Sequence, residues 1–519
     1  MRHNLLTDPI IRVTTIEGRS TSLSLPGLLA SLAAGDSIDG FAGLRPHQAP
    51  AWYTFLVQLA ALASLDGGDD GRGASEEEWR ARLRALTAGE GGDAPWHLAV
   101  EDLSRPAFLQ PPVPEGSLAG FQGPIDGPDA DPGLDVLVTG RDHDLKFGAI
   151  GAPLPDHWVY ALVTLQTQAG FSGRSNYGVV RMNSGYGSRP VVGFAPDRSW
   201  AGRFRRDLDL LLREHDQLAR AHERPVRGGT ALLWLQPWDG NDSWPLRQCD
   251  PYVIEVARRV RLVADPAGRM AAFRKGTAAP RIAPKSDVMK GNVGDPWIPV
   301  KIEDGAALTV GPRGFDYDRL RCLLFEDGYA AGPCQQLQPD DPEEVYLYAA
   351  ALARGQGGTD GFHERWLPIP RRARFRLAGA AERESLAELA RDRVELAAQV
   401  EKSALRPALL ALLQAGDEKL DFQDGRHVRW GEEWSRRLDV AFFPQLWEDL
   451  DLPRTEQDAR WAAFLRSCAL EVFEQAWAEA PVADVRRERA RARAEALLLS
   501  GLRKLLPSPP VSEEEGDDH

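Results

Sequence analysis

With 519 residues, 43% of them hydrophobic, and fifteen tryptophans, the chain is long enough for two or three packed domains and too apolar to be disordered. It contains no apolar run of roughly eighteen residues, which argues against a membrane-spanning helix. The net charge of −14 argues against autonomous tight binding of nucleic acid, because attraction to phosphate needs a basic surface.

The opening "MRHNLLTDPIIRV" lacks the basic-then-apolar pattern of a secretory signal, so a cytoplasmic protein is expected. From Asn4 to about Arg374, short strand-like runs ("PIIRV", "VLVTG", "RPVVGF", "ALLWLQP", "WIPVKI") alternate with a few helices under frequent proline and glycine. "AWYTFLVQLAALASL" and "DHWVYALVTLQTQAG" are apolar nearly all round and read as buried helices. The stretch "EEVYLYAAALAR" also reads as helix.

From about Phe375 the pattern becomes uninterrupted helix. Leu386, Leu389, Leu396 and Val400 make one apolar stripe; Trp461, Leu465, Cys468 and Val472 make another, preceded by a capping-box-like "TEQD" at Thr455. A helix after Pro407, an aromatic segment around "EWSRRLDVAFFPQLW" and a last helix, basic then apolar, complete the set. The fold class is α+β: a large irregular mixed domain over 1–374, a C-terminal four-helix bundle over 375–506, and a disordered acidic tail over 507–519.

Few motifs suggest catalysis. The four cysteines lie far apart with no C-x-x-C pair and the ten histidines are scattered, so neither a disulfide framework nor a metal site is expected. "GQGGTDG", within Arg354 to Arg365, lacks the lysine and hydroxyl of a phosphate-binding loop. It is read as a flexible turn or as a loop that approaches a ligand closely, with nucleotide cradling the weaker alternative. "HERW" fails as a zinc motif because Leu367 stands where a second histidine belongs, and in "GFSGR" the second glycine comes one residue too early for a nucleophile elbow.

"GFSGRSNYGVVRMNSGYGSRP", Gly170 to Pro190, joins glycines with Arg174, Arg181 and Arg189, donors suited to phosphates and base edges, though a surface turn cluster reads equally well. "PKSDVMKGNVGDPW" adds Lys285 and Lys290 in a lysine-poor chain. With no paired acid and base, metal cluster or activated nucleophile, the constellation is that of a binding surface.

These segments, in this order, resemble the large subunit of the type I-E Cascade CRISPR surveillance complex, the CasA family. "NLLTDPIIRV", "RPAFLQ", "GFSGR" with "GSRP", "WLQPWDG" before "CDP", and "GQGGTDGFHER" carry the resemblance over nearly the whole chain. It implies a prokaryotic, cytoplasmic subunit without enzymatic activity or cofactor. Such a subunit checks target double-stranded DNA for the protospacer-adjacent motif (PAM), helps open the strands for the guide CRISPR RNA, and docks a helicase-nuclease effector.

Its other partners would be the backbone, guide 5′-end-binding and small subunits, with no membrane. By the same resemblance the glycine loop falls on Gly170, Ser172, Gly173 and Arg174, the minor-groove lysine on Lys285 or Lys290, and the wedge hairpin on Gly355, Gln356, Gly357, Gly358 and Thr359. Gln356 would be the wedge. A loop reaching toward the guide RNA and neighbouring subunits falls on Thr139, Arg141, His143 and Lys146. The cysteine cluster that some members carry after "CDP" is replaced here by "PYVIEVARRVRL", so no zinc site transfers. A structural subunit of a related CRISPR or transposon-associated complex, or a nuclease or nucleotide hydrolase, are the alternative readings.

Overall fold

The computed structural model describes residues 3–507 apart from 37, 66–70, 124–133, 135–152, 184–186, 267, 284–289, 356–357, 417–418 and 481–483. The chain divides into two compact units, Met1–Phe315 with Gly328–Ile369, and Asp316–Asp327 with Pro370–His519.

The first unit is mixed. β1 (Ile11–Thr15) lies between β2 (Ser20–Leu23) and β3 (Ile38–Phe41), antiparallel to both. α1 (Leu25–Ala34) begins where the Ser24 hydroxyl accepts the Gly27 N–H, and α3 (Glu76–Ala85) begins with a capping box between Ser75 and Glu78. Between them α2 (Ala49–Ser64) is buried on nearly every face, and α4 (Pro155–Thr167) on most; this is why neither sequence shows a polar stripe. They meet through Trp52 and Tyr160, whose rings stand edge to face at 5.2 Å.

β4 (Val191–Ala195) and α5 (Trp200–Ala221) follow. β5 (Thr230–Leu232) pairs parallel with β6 (Cys249–Ile254), and β7 (Arg259–Ala264) pairs antiparallel with β8 (Met270–Lys275). The long strands β9 (Val345–Gly355) and β10 (Gly358–Ile369) form a hairpin whose first strand also pairs with β4, giving the order β10-β9-β4.

β9 overturns the helical reading of "EEVYLYAAALAR". Alanine favours helix in isolation, but pairing on both sides over Tyr346–Ala350 decides the conformation here. Tyr346 and Tyr348 pack on Trp366 of β10, with ring centroids 6.1 and 4.6 Å away. Two expected strands are shorter than their apolar runs. "ALLWLQP" passes from β5 into a 3₁₀ turn at Leu233–Leu235, and "WIPVKI" supplies only Val300–Lys301. "VLVTG" lies outside the described residues.

The second unit is helical: α6 (Tyr317–Leu324), α7 (Arg371–Ala378), α8 (Ala380–Val400), α9 (Arg406–Leu413), α10 (Val428–Glu448), α11 (Arg454–Glu479) and α12 (Asp484–Leu505). α8 runs through a π turn at Glu401–Leu405 straight into α9, so Pro407 does not open a separate helix. The wider turn accommodates a proline that cannot donate a hydrogen bond. This joined helix packs with α10, α11 and α12 as a four-helix bundle. Leu386, Leu389 and Val400 are buried and Leu396 half-buried; Trp461, Leu465, Cys468 and Val472 are all buried. The capping box at Thr455 does not form. α11 starts two residues earlier, after Pro453, whose extended backbone sets the entry without a side-chain cap.

Candidate nucleic-acid interface

α4 ends at Thr167 and the chain enters the glycine stretch. Gly170 N–H donates to Gly187 O at 3.0 Å, and Val179 N–H to Ala169 O at 3.1 Å, so the two arms of the loop are tied at its base. Gly178 sits directly beneath. A Cβ there would lie 2.7 Å from the Gly170 carbonyl carbon, so only glycine fits this close approach. Arg258 donates to Gly170 O at 2.8 Å from the other side.

The tip is the open part. Gly173 has φ +110° with nothing within 4 Å of where a Cβ would stand, and Ser172 and Arg174 are exposed. Arg174 has no ionic partner among the described residues.

Arg181 and Arg189, read from sequence as donors for phosphate or base, are instead buried in the protein. Arg181 pairs with Glu255 at 2.5 Å and with Asp295 at 3.0 Å; Arg189 reaches Asp295 at 2.6 Å and lies over the Trp297 ring. Burial alone would lower the Arg181 guanidinium, but the charges of Glu255 and Asp295 hold it above its ordinary value. These side chains anchor the stretch, and Arg174 alone of the three faces solvent.

The same stretch leads into the hairpin. Ser188 N–H donates to Leu352 O at 2.9 Å, and Leu352 N–H returns a bond to the Ser188 hydroxyl at 2.8 Å, immediately before β4 joins β9. The glycine loop and the hairpin stem therefore stand on one sheet. Gly355 pairs with Gly358, and Thr359 with Arg354, as the last described pairs of the hairpin. Gln356 and Gly357 lie outside the described residues, as do Lys285 and the whole loop of Thr139, Arg141, His143 and Lys146.

Lys290 is described. Its ammonium donates to Asp304 at 3.0 Å on the surface, and this hydrogen bond holds the Asp304 carboxyl below its usual range. The adjoining Gly291 presses on the backbone of Met182 and Asn183, where a Cβ would meet atoms at 2.5 and 2.6 Å. Lys290 thus belongs to the same surface as the glycine stretch.

Beside the loop opens a cleft of about 660 Å³. Gly170, Ser172 and Arg174 form part of its lining, and Arg258, Arg259, Arg274 and Lys275 bring further positive charge. No carboxylate lines it among the described residues. The sequence reading missed these four cations. Their one local signal is "FRKG", a basic pair at a strand end, while the approach of β7 and β8 to the loop is a tertiary fact.

Nucleophilic chemistry has little support. Burial pushes the Cys249 thiol up to about 11, the Cys468 thiol up to about 12, and Cys334 well above its ordinary value. A reactive thiolate needs the opposite shift. Among the described residues, no group of three His, Cys, Asp or Glu side chains is placed to hold a metal ion, and no helix is long and apolar enough to cross a membrane.

No family model matches the chain, and no curated protein matches it. Solved structures do. CRISPR-associated protein Cse1 from Acidimicrobium ferrooxidans aligns with a TM-score of 0.62 at 16% identity, over 98% of this chain and 99% of that one. CasA (Cse1) from Thermus thermophilus aligns with a TM-score of 0.60 at 16% identity, over 97% and 100%. A chain of a CRISPR RNA-guided surveillance complex aligns with a TM-score of 0.57 at 15% identity, over 96% and 99%. From end to end, this chain has the fold of the Cse1, or CasA, proteins.

Proposed function

We propose that the chain is the large, non-catalytic subunit of a type I-E Cascade complex, reading the PAM of target double-stranded DNA and helping to open it for guide RNA pairing. One observation carries the reading: an open glycine tip and the stem of a glycine-ended hairpin share a sheet, beside a cleft lined by cations. The full-length likeness to Cse1 proteins and to a chain of an RNA-guided surveillance complex supports it.

In this reading Gly173 lets main-chain amides approach the minor groove, with Ser172 and Arg174 alongside. That groove presents nearly the same acceptors for A·T and T·A, so several related motifs would be accepted. Lys285 or Lys290 supplies the cation; Lys290 would first leave Asp304, an exposed pairing that solvent screens. Gln356, between Gly355 and Gly358, would wedge into the first base-pair step, offsetting about 1–2 kcal/mol of stacking per step until the guide pairs. The loop around Arg141 would meet the guide RNA and neighbouring subunits, and a surface of this chain would dock the helicase-nuclease. The protein would work in the prokaryotic cytoplasm, without cofactor.

The test uses the assembled complex with its guide RNA. Gln356→Ala and Gly173→Val should each weaken target-duplex binding about tenfold, the scale of one stacking step or one groove contact, while the complex still assembles. Wild-type affinity and wild-type motif preference in both variants would remove these roles.

A further inference from the structure

At the edge of the cleft lies an arrangement that the glycine tip and the hairpin do not use. Arg259 and Lys275 enter it from the adjacent ends of β7 and β8, where they are Cα partners in the antiparallel register. Glu115 bridges them. One carboxylate oxygen lies 3.2 Å from Arg259 Nη2, and the other accepts from Lys275 Nζ at 3.3 Å. The Phe121 ring lies beside both cations, with centroid distances of 5.2 and 5.7 Å.

Two oxygens of one anion shared between two cations is the geometry in which a phosphodiester offers its two non-bridging oxygens. Glu115 is 40% exposed at its side chain, so it can swing into water, and Lys275 is 31% exposed. At the rim, Arg174 and Arg274 are exposed and have no ionic partner among the described residues.

We infer that Arg259 and Lys275, at the edge of this cleft, form a second seat for the DNA phosphate backbone, and that Glu115 occupies that seat as an internal competitor until DNA displaces its carboxylate. Such a competitor weakens attachment to any duplex regardless of sequence, because each phosphate seat filled from within is one fewer counterion-releasing contact. It leaves the contacts that read the motif untouched. The inference rests on the reading above only in taking DNA as the anion's source.

The experiment measures fluorescence anisotropy of the full-length chain with a labelled duplex lacking any target, across a salt series. Glu115→Gln keeps the side chain's size and removes its charge at an exposed position. It should tighten binding about eightfold at 0.1 M salt and steepen the log–log salt slope by about 0.9, the values for one added phosphate contact. Arg274→Glu should weaken binding and flatten the slope. An unchanged affinity and slope in Glu115→Gln, a weaker affinity in it, or no effect of Arg274→Glu would each overturn the inference.

Motif preference of the assembled complex, measured on the same variants, separates the two readings. If Glu115→Gln tightens non-target binding while Gly173→Val leaves motif preference intact, the cleft stands and the glycine-loop role falls. The reverse result sinks the cleft alone.

Discussion

The two units keep their interiors satisfied in different ways. In the helical unit most of the described backbone lies in helices, whose carbonyls pair within the helix, and the interior is an apolar stripe of leucines, alanines and aromatic rings. Its most deeply buried arginine, Arg393, pairs with Asp449 at 2.5 Å and lies over Trp461. In the first unit the chain turns often, and buried arginines add donors to the carbonyls of its irregular segments. Arg261 alone donates to the carbonyls of Arg105, Gln110 and Pro111; Arg281 to those of Leu233, Gln236 and Pro237; Arg224 to those of Asp250 and Val293.

A guanidinium with five donors in a fixed fork can staple several irregular segments at once. Burial lowers each of these three guanidiniums to about 10, which leaves them charged near neutral pH. An irregular fold can thus be held by polar bonds as securely as a bundle is by apolar contact, but it fails differently when cut.

The sharpest break should come at Asp295, which holds Arg181 and Arg189 together. Asp295→Ala leaves a nearly fully buried pair of cations with only Glu255 opposite, and should cost about 3–5 kcal/mol in equilibrium urea denaturation. A smaller loss is expected at Arg261. Arg261→Met keeps much of the volume but removes the guanidinium donor from Pro111 O and Arg105 O, while Gln110 O keeps the Ala107 N–H, for about 1–3 kcal/mol. If Arg261→Met proved neutral, the stapling role would be withdrawn.

The smallest effect is one of pH. Burial opposes charging of His215, yet its hydrogen bond to Asp250 at 3.1 Å, that carboxylate's charge and the bond to Asp216 raise it above the ordinary value of 6.5. Its stabilisation is therefore complete below 6.5 and fades as pH rises through the raised value. His215→Gln should flatten that part of the stability–pH curve, and an unchanged curve would show that the pair carries no protonation energy.

These differences also explain what could be read without coordinates. The bundle's helices were legible because a buried stripe repeats every three or four residues along one segment; only local detail, the π turn before Pro407 and the missing cap at Thr455, escaped. α2 and α4 were legible for a different reason, long segments apolar on nearly every face. The hairpin strand β9 was not, because Tyr346–Ala350 owe their conformation to pairing on both sides, with the hairpin partner β10 and with β4 far earlier in the sequence. At the interface, the glycines of Gly170–Arg174 announced an open tip. Whether a nearby arginine faces water or a buried carboxylate depends on distant partners, and so Arg181 and Arg189 read the same as Arg174. Arg274 and Lys275 gain their meaning only from lying across the cleft from the loop, a relation no linear spacing records.

The hairpin has one further consequence. Its register slips between Ala353 and Arg354, because Ala353 faces Gly361 while Arg354 faces Thr359, leaving Asp360 as an extra residue beside a Gly361 at φ +100°. Such a bulge bends a strand pair and sharpens its twist. On the near side of it, Ser188 and β4 support β9 as far as Leu352; on the far side are two described strand pairs. The hairpin is therefore clamped along its stem, with the bulge placed just short of its last described pairs, so the direction in which its end projects is set by the bulge and not by the plane of the sheet.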